Sequence, residues 1–352
     1  TMSGISCELT ISATMTLRSI LALSFTAEQI HKKYGIDPAP ALARNGINPD
    51  QIDASAVISQ ADELAVLSDL YVDLRHDPLA AMKLSSTFGI AAYGAFAMML
   101  MSCSTVKEGI ELGIRYQELS YLFSRLDFEV NGDEAALLLH PYHVPEELHR
   151  FIIDRDVAGT FQFLSMMQTM LGQQKMQKLI SVPYPEPFEA DFYRDTFACP
   201  VEFGTDVARF VFDAALLDQP LPNANPTALS LYRQQCDELL KQRRQPETNN
   251  LSDRVKKYLG MFREGYPSIN ECADTFSTSE RSFRRQLKEE GTTFQQLLES
   301  VRSEKACRLL DTTEDSIEVI AGKLGYTEAA AFIRAFKKWH SMTPAQYRKR
   351  EV

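Results

Sequence analysis

Three histidines, His140, His143 and His149, fall close together, and the H-x-x-H spacing of the first pair could hold a metal ion. No carboxylate or thiolate at ligand spacing joins them, so surface or capping histidines are the simpler reading and no metal is expected. Six cysteines, Cys7, Cys103, Cys199, Cys236, Cys272 and Cys307, lie far apart with no C-x-x-C pair, which suits free thiols in a reducing cytoplasm. The chain holds no P-loop, no G-x-S-x-G and no H-E-x-x-H. No catalytic residue and no cofactor is therefore expected. What stands out chemically is a basic, aromatic run, GYTEAAAFIRAFKKWHSMTPAQYRKR at residues 325–350, in a chain whose net charge is -10.

Splitting the charge locates that contrast. From Leu251 to Val352 there are 18 Lys and Arg against 15 Asp and Glu, a net +3; the remainder carries 19 against 32, or -13. A polyanion, if one is bound, meets the C-terminal part. With 352 residues and 45% apolar composition, two globular domains of unequal size are expected. The polar stretch QRRQPETNN at Gln242–Asn250 marks a linker, giving domains at 1–244 and 251–352 with 245–250 between them.

Elements must then position the basic residues. The apolar stretch Gly89–Cys103 is mid-chain with no basic segment before it, and reads as a buried helix rather than a signal or membrane span. Helical periodicity dominates Leu17–Ser124 and Glu146–Gly172. Between these segments RLDFEVNGDEAALLLH alternates around Asn131-Gly132, a hairpin signal. KLISVPY near Lys178, VEF and ARFVFDA are further strand candidates. The N-terminal domain is thus expected to be α+β, an antiparallel sheet with covering helices, ending in an amphipathic helix over Asn225–Arg244 with Pro226 at its first turn.

The C-terminal part contains a duplication. SINECADTFSTSERSFRRQLKEEG from Ser268 aligns with SIEVIAGKLGYTEAAAFIRAFKKWH from Ser316, pairing Ile269 with Ile317, Ala273 with Ala321, Phe283 with Phe332 and Arg285 with Arg334. Each copy, about 268–291 and 316–340, has the pattern of a helix-turn-helix. A Ser N-cap opens a short helix, a small alanine allows close approach, and the second helix has one apolar and one basic face. Gly325 supplies the left-handed turn residue in the second copy, where the first has Ser277. An amphipathic helix over Thr293–Leu310 joins the copies and would set two helices about one DNA turn, ~34 Å, apart. Phe332, Phe336, Trp339 and Tyr347 are expected in the core, and Thr343-Pro344 should start the last helix.

These tandem units, the joining helix and the spaced residues Ala321, Gly325, Phe332, Phe336, Pro344, Tyr347 and Arg348 resemble the DNA-binding domain of the AraC/XylS transcriptional regulators. Pro78–Ser124 and the segment through Asn225 also resemble the effector domain of the subgroup that regulates ornithine and arginine use. The resemblance implies double-stranded promoter DNA as a partner, base-facing positions at Arg281, Arg284 and Arg285, and at Ala329, Ala330, Ala331 and Arg334. Arginine can pair with guanine through two bonds, whereas alanine offers only a methyl to thymine, so the first unit should discriminate more. Lys288, Lys337, Lys338, Arg348, Lys349 and Arg350 would serve phosphates.

By resemblance the protein is also expected to be a cytoplasmic homodimer, an activator working with RNA polymerase, and controlled by a small molecule. Phe96, Met98, Met99 and Met101 could line an apolar pocket for a fatty acid or other hydrophobic ligand, or simply form core. Arg115, Tyr116 and Arg125 could instead contact an amino acid. A regulator governed by abundance or a protein partner is the alternative. A DNA-repair enzyme carrying the same domain would need a reactive Pro-Cys-His-Arg setting, and the nearest context is Ala198-Cys199-Pro200.

Overall fold

The computed structural model describes residues 17–45, 47, 57–85, 93–172, 176–243, 250–262, 265–276, 278–313 and 315–349. Cys7, Ser277, Arg350, Gly89–Ala92 of the apolar stretch and most of the expected linker lie outside them. Contacts divide the chain into two compact units, one of Thr16–Tyr142 with Glu146–Gln245, the other of Pro246–Val352 with His143–Pro145.

In the first unit β1 (Leu17–Ser19) leads into α1 (Ile20–Tyr34) and the short α2 (Ala39–Arg44). Next come β2 (Val57–Ser59), α3 (Gln60–Leu74), α4 (Ala80–Ser85), α5 (Gly94–Met101) and α6 (Val106–Arg115). The helical reading of this region missed one feature: β1 and β2 pair antiparallel, Arg18 opposite Ile58. Three-residue strands are too short to show a period.

A five-stranded sheet follows, from β3 (Ser124–Asn131), β4 (Glu134–Pro141), β5 (Gln177–Val182), β6 (Val201–Phe203) and β7 (Ala208–Asp213), in the order β3-β4-β7-β5-β6. The β3–β4 hairpin turns at Gly132-Asp133, with Gly132 at φ 61, the backbone that a two-residue primed turn demands. VEF and ARFVFDA are not neighbours; β5 lies between them, parallel to β6 and antiparallel to β7, so the sheet is mixed at one edge. Helix α7 (Glu146–Met170) lays Ile153, Val157 and Ala158 on Leu137, Leu139, Ile180 and Phe210, while α8 (Ala190–Phe197) adds Tyr193 and Phe197.

Two polar networks anchor α7. Asp154 accepts hydrogen bonds from the Tyr184 and Tyr193 hydroxyls, and Asp156 accepts from the Phe123 amide and the Ser124 hydroxyl. Burial raises both carboxyls to about 6. Arg155 bridges Glu63 and Asp156 at 3.2 and 3.3 Å, and Glu63 also meets Arg18 at 2.9 Å, which ties β1, α3 and α7 together. Helix α9 (Pro226–Arg243) packs Cys236 and Leu240 against Phe96, Met99 and Leu100 of α5, so one face of the expected terminal helix belongs to its own domain's core.

The second unit is helical. It runs through α10 (Leu251–Gly260), α11 (Ile269–Thr275), α12 (Glu280–Glu289), α13 (Phe294–Thr312), α14 (Ile317–Lys323), α15 (Ala329–His340) and α16 (Pro344–Arg348). Its sequence punctuation is literal: the Ser268, Ser279, Thr293, Ser316 and Thr343 hydroxyls each accept from the backbone N–H three residues on. Ala306, Leu310, Ile320, Ala321, Leu324, Phe332, Phe336 and Tyr347 make one core, with Trp339 packed at its edge. The aromatics of the opening run are therefore structural.

Candidate nucleic-acid interface

Each α-helical pair is built so that the second helix has only one face to show. In the first pair, Cys272 and Ala273 of α11 and Phe283 and Leu287 of α12 are buried, which turns Arg281, Arg284, Arg285 and Lys288 to the surface. In the second, Ala321 and Phe332 and Phe336 are buried, leaving Ala330, Arg334, Lys337 and Lys338 outside. Ala329 and Ala331 are half-buried, at the margin of that outer face.

Close packing at the turn fixes the second pair. Gly325 has φ 75, and a Cβ there would stand 3.1 Å from the Arg302 guanidinium of α13. That guanidinium lies 5.0 Å from the ring centres of both Tyr266 and Tyr326, a cation–π sandwich. Lys305, also on α13, donates to the carbonyls of Phe262 and Lys323 at 3.1 Å each. The 19-residue joining helix, about 28 Å long at 1.5 Å per residue, is thereby clamped to segments on either side.

Not every base is equally available. Among the described residues Arg281, Lys288, Arg334, Lys337 and Lys349 carry no ion pair and are exposed. Arg284 Nε donates to Glu280 at 2.6 Å, Arg285 meets Glu289 at 3.7 Å, and Lys338 donates to Glu299 at 3.3 Å. Arg348 is drawn inward and donates to the Asp315 carbonyl at 2.7 Å, so its guanidinium clasps the start of α14. The Glu280 partner went unremarked in the sequence, although its i,i+4 spacing to Arg284 is visible there.

The residues considered for an effector do not converge. Phe96, Met99 and Tyr116 share one closed cluster, in which the Tyr116 hydroxyl donates to Asp237 at 2.6 Å. Met101 packs at the edge of another cluster, and Met98 is exposed. Arg115 lies over the Tyr116 ring at 5.6 Å, exposed, and Arg125 meets Asp127 at 3.4 Å on the outside of β3. A groove of ≈ 750 Å³ does exist in this unit, but on the other face of the sheet from α7, and it is lined by residues of β3 to β7. The histidines form no ligand set: among the described residues no three His, Cys, Asp or Glu side chains gather closely enough for a metal. Burial lowers His140 below the ordinary imidazole value, with Arg125 adding to the effect.

Two helix-turn-helix pairs on a common joining helix, with bases outward, define a DNA-binding regulator. Residues 35–221 match the arabinose-binding domain of AraC transcription regulator, N-terminal, and residues 272–350 match a helix-turn-helix domain. The chain belongs to the AraC family of transcription regulators. An uncharacterized HTH-type transcriptional regulator of Mycobacterium tuberculosis is 28% identical over 92% of this chain and 94% of its own length. The ornithine utilization regulator of Pseudomonas aeruginosa is 27% identical over 78% of this chain and 79% of its own. Among solved structures, the transcriptional regulator CdpR of P. aeruginosa is 21% identical, with a TM-score of 0.43 over 89% of this chain and 97% of that one.

Proposed function

We propose that this regulator binds promoter DNA sequence-specifically through α12 and α15, acts as a dimeric activator in the cytoplasm, and answers to a small molecule held by its N-terminal domain. The domains are 1–244 for sensing and dimerisation, 245–250 as linker and 251–352 for DNA. One observation carries the DNA half. On both second helices the apolar side chains are buried and the bases outward, with Arg281 and Arg334 free of ion pairs among the described residues. Free guanidiniums can reach guanine edges without first breaking a bond. Lys288, Lys337, Lys338 and Lys349 serve phosphates, which position without specifying. Arg348 is better suited to holding the domain together.

Effector control is supported by family membership and by the relative named for ornithine utilization, and activation with RNA polymerase by the family likeness. A ligand controls DNA binding only if it favours one arrangement of the protein by differential affinity. The test is fluorescence anisotropy of the full chain on its own upstream promoter region and on random DNA, with and without a metabolite panel. Preference for the promoter, changed by one class of metabolite, is expected. Equal binding to both DNAs would sink the sequence-specific reading, and a flat response to every metabolite would favour control by abundance or a protein partner.

A further inference from the structure

The structure points to a binding site for a linear aliphatic polyamine on the open face of the sheet; we infer it from the groove across β3 to β7, and it rests on the effector-controlled reading above. Strand register builds the floor. Ala136, Val211 and Leu179 stand opposite one another across β4, β7 and β5, with Glu129 of β3 at the end of that row. Two residues along, and so on the same face, Arg209, Ser181 and Glu202 form the next row across β7, β5 and β6. The first row of the floor is apolar, the second is polar, and the margins are charged.

The charges are unequally satisfied. Arg209 reaches over β4, past the small Ala136, to pair with Glu129, and Lys178 pairs with Asp213 at 3.8 Å. Glu134, Glu202 and Asp206 also line the groove, and among the described residues none of the three side-chain carboxylates has a hydrogen-bond or ion-pair partner. Among the described residues the groove therefore presents three carboxylates without an ion pair beside an apolar row, and both cations of its lining, Lys178 and Arg209, are paired. The groove is open to solvent, and its volume of ≈ 750 Å³ falls within the range of small-molecule sites.

Spacing selects among cations. No three acidic side chains approach closely enough for a metal ion among the described residues. Glu134 on β4 and Glu202 on β6 are three strand steps apart, about 14 Å at ~4.8 Å per step, and offset along the strands as well. One ammonium cannot serve both corners. A chain of methylenes carrying several ammonium groups can, laying its apolar segments on Ala136, Val211 and Leu179. Affinity should then rise from putrescine through spermidine to spermine.

Calorimetry of the full chain with putrescine, spermidine, spermine, L-ornithine and decanoate, at physiological salt and without DNA, tests this. Spermine should saturate at one per chain. The double variant E202Q/D206N, which keeps side-chain volume and removes two surface charges, should weaken it on the order of tenfold, the size of two modest ion pairs. The variant E28Q/E111Q removes as much charge from exposed positions outside the groove and should change nothing. Absence of spermine binding, equal weakening in the two variants, or tighter binding of decanoate would overturn the site. A promoter response to another metabolite would in that case leave the regulator reading standing, whereas groove binding with no effect on promoter affinity would count against effector control through this site.

Discussion

At the scale of residues, helix α12, proposed above to face DNA, holds two arginines in different states. Arg281 is exposed and free of partners among the described residues, while Arg284 is tied to Glu280 one turn earlier. A surface i,i+4 pair is worth only about 0.3–0.5 kcal/mol, which a bidentate guanine contact of about 1–3 kcal/mol outweighs. Arg284 can thus be recruited on binding, and Glu280 opposes that recruitment slightly while repelling phosphate. Arg281→Ala should lose about 1–3 kcal/mol on the promoter and little on random DNA, whereas Glu280→Gln should strengthen binding to both. Anisotropy titrations on the two DNAs measure each effect. A loss for Arg281→Ala that is the same on both would place that side chain on phosphate. The candidates on α12 were legible because a basic helix face repeats every three to four residues. The groove was not, since its lining residues come from five strands and meet only through register.

At the scale of elements, what the sequence announced were caps and turns, because these are set by neighbours in the chain. Ser268, Ser316 and Thr343 cap the helices they precede, and Gly325 adopts the positive φ expected of it. What it hid were pairings decided at long range. The β1–β2 bridge joins residues about forty positions apart, and the insertion of β5 between β6 and β7 depends on where α8 returns the chain. Arg348 shows the same limit at a helix end, since its bond to the Asp315 carbonyl could not be read from a basic C-terminal run. Gly325 tests the clamp on the second pair. Alanine there must hold φ 75 and push against the Arg302 guanidinium, a flexible group that can move but is wedged between two tyrosine rings. Backbone strain of about 1–2 kcal/mol is expected to lower the thermal midpoint of the DNA-binding unit in Gly325→Ala. An unchanged midpoint would mean that the turn is free to rearrange and does not fix α15.

For the molecule as a whole, the separation of charge matters more than the total. A chain at -10 overall repels DNA at long range, yet the part from Leu251 onward is at +3 and concentrates its free bases on two helices. Salt shortens the reach of the acidic part to about 8–10 Å at physiological ionic strength. Local contacts then decide binding. Each phosphate neutralised by a lysine releases counterions, so the slope of log affinity against log salt counts such contacts. Lys337 is exposed on the last turn of α15 and has no partner among the described residues, the position of a phosphate contact if α15 lies along the major groove. Lys337→Ala should flatten the salt slope by about one, on the promoter and on random DNA alike. Lys338→Ala should do less, because its ammonium already donates to Glu299 and must leave that bond to reach DNA. If Lys337→Ala instead weakened the promoter selectively and left the slope unchanged, α15 would be turned with Lys337 toward the bases. Ala330, two turns earlier on the same helix face, would then lie over the groove beside it.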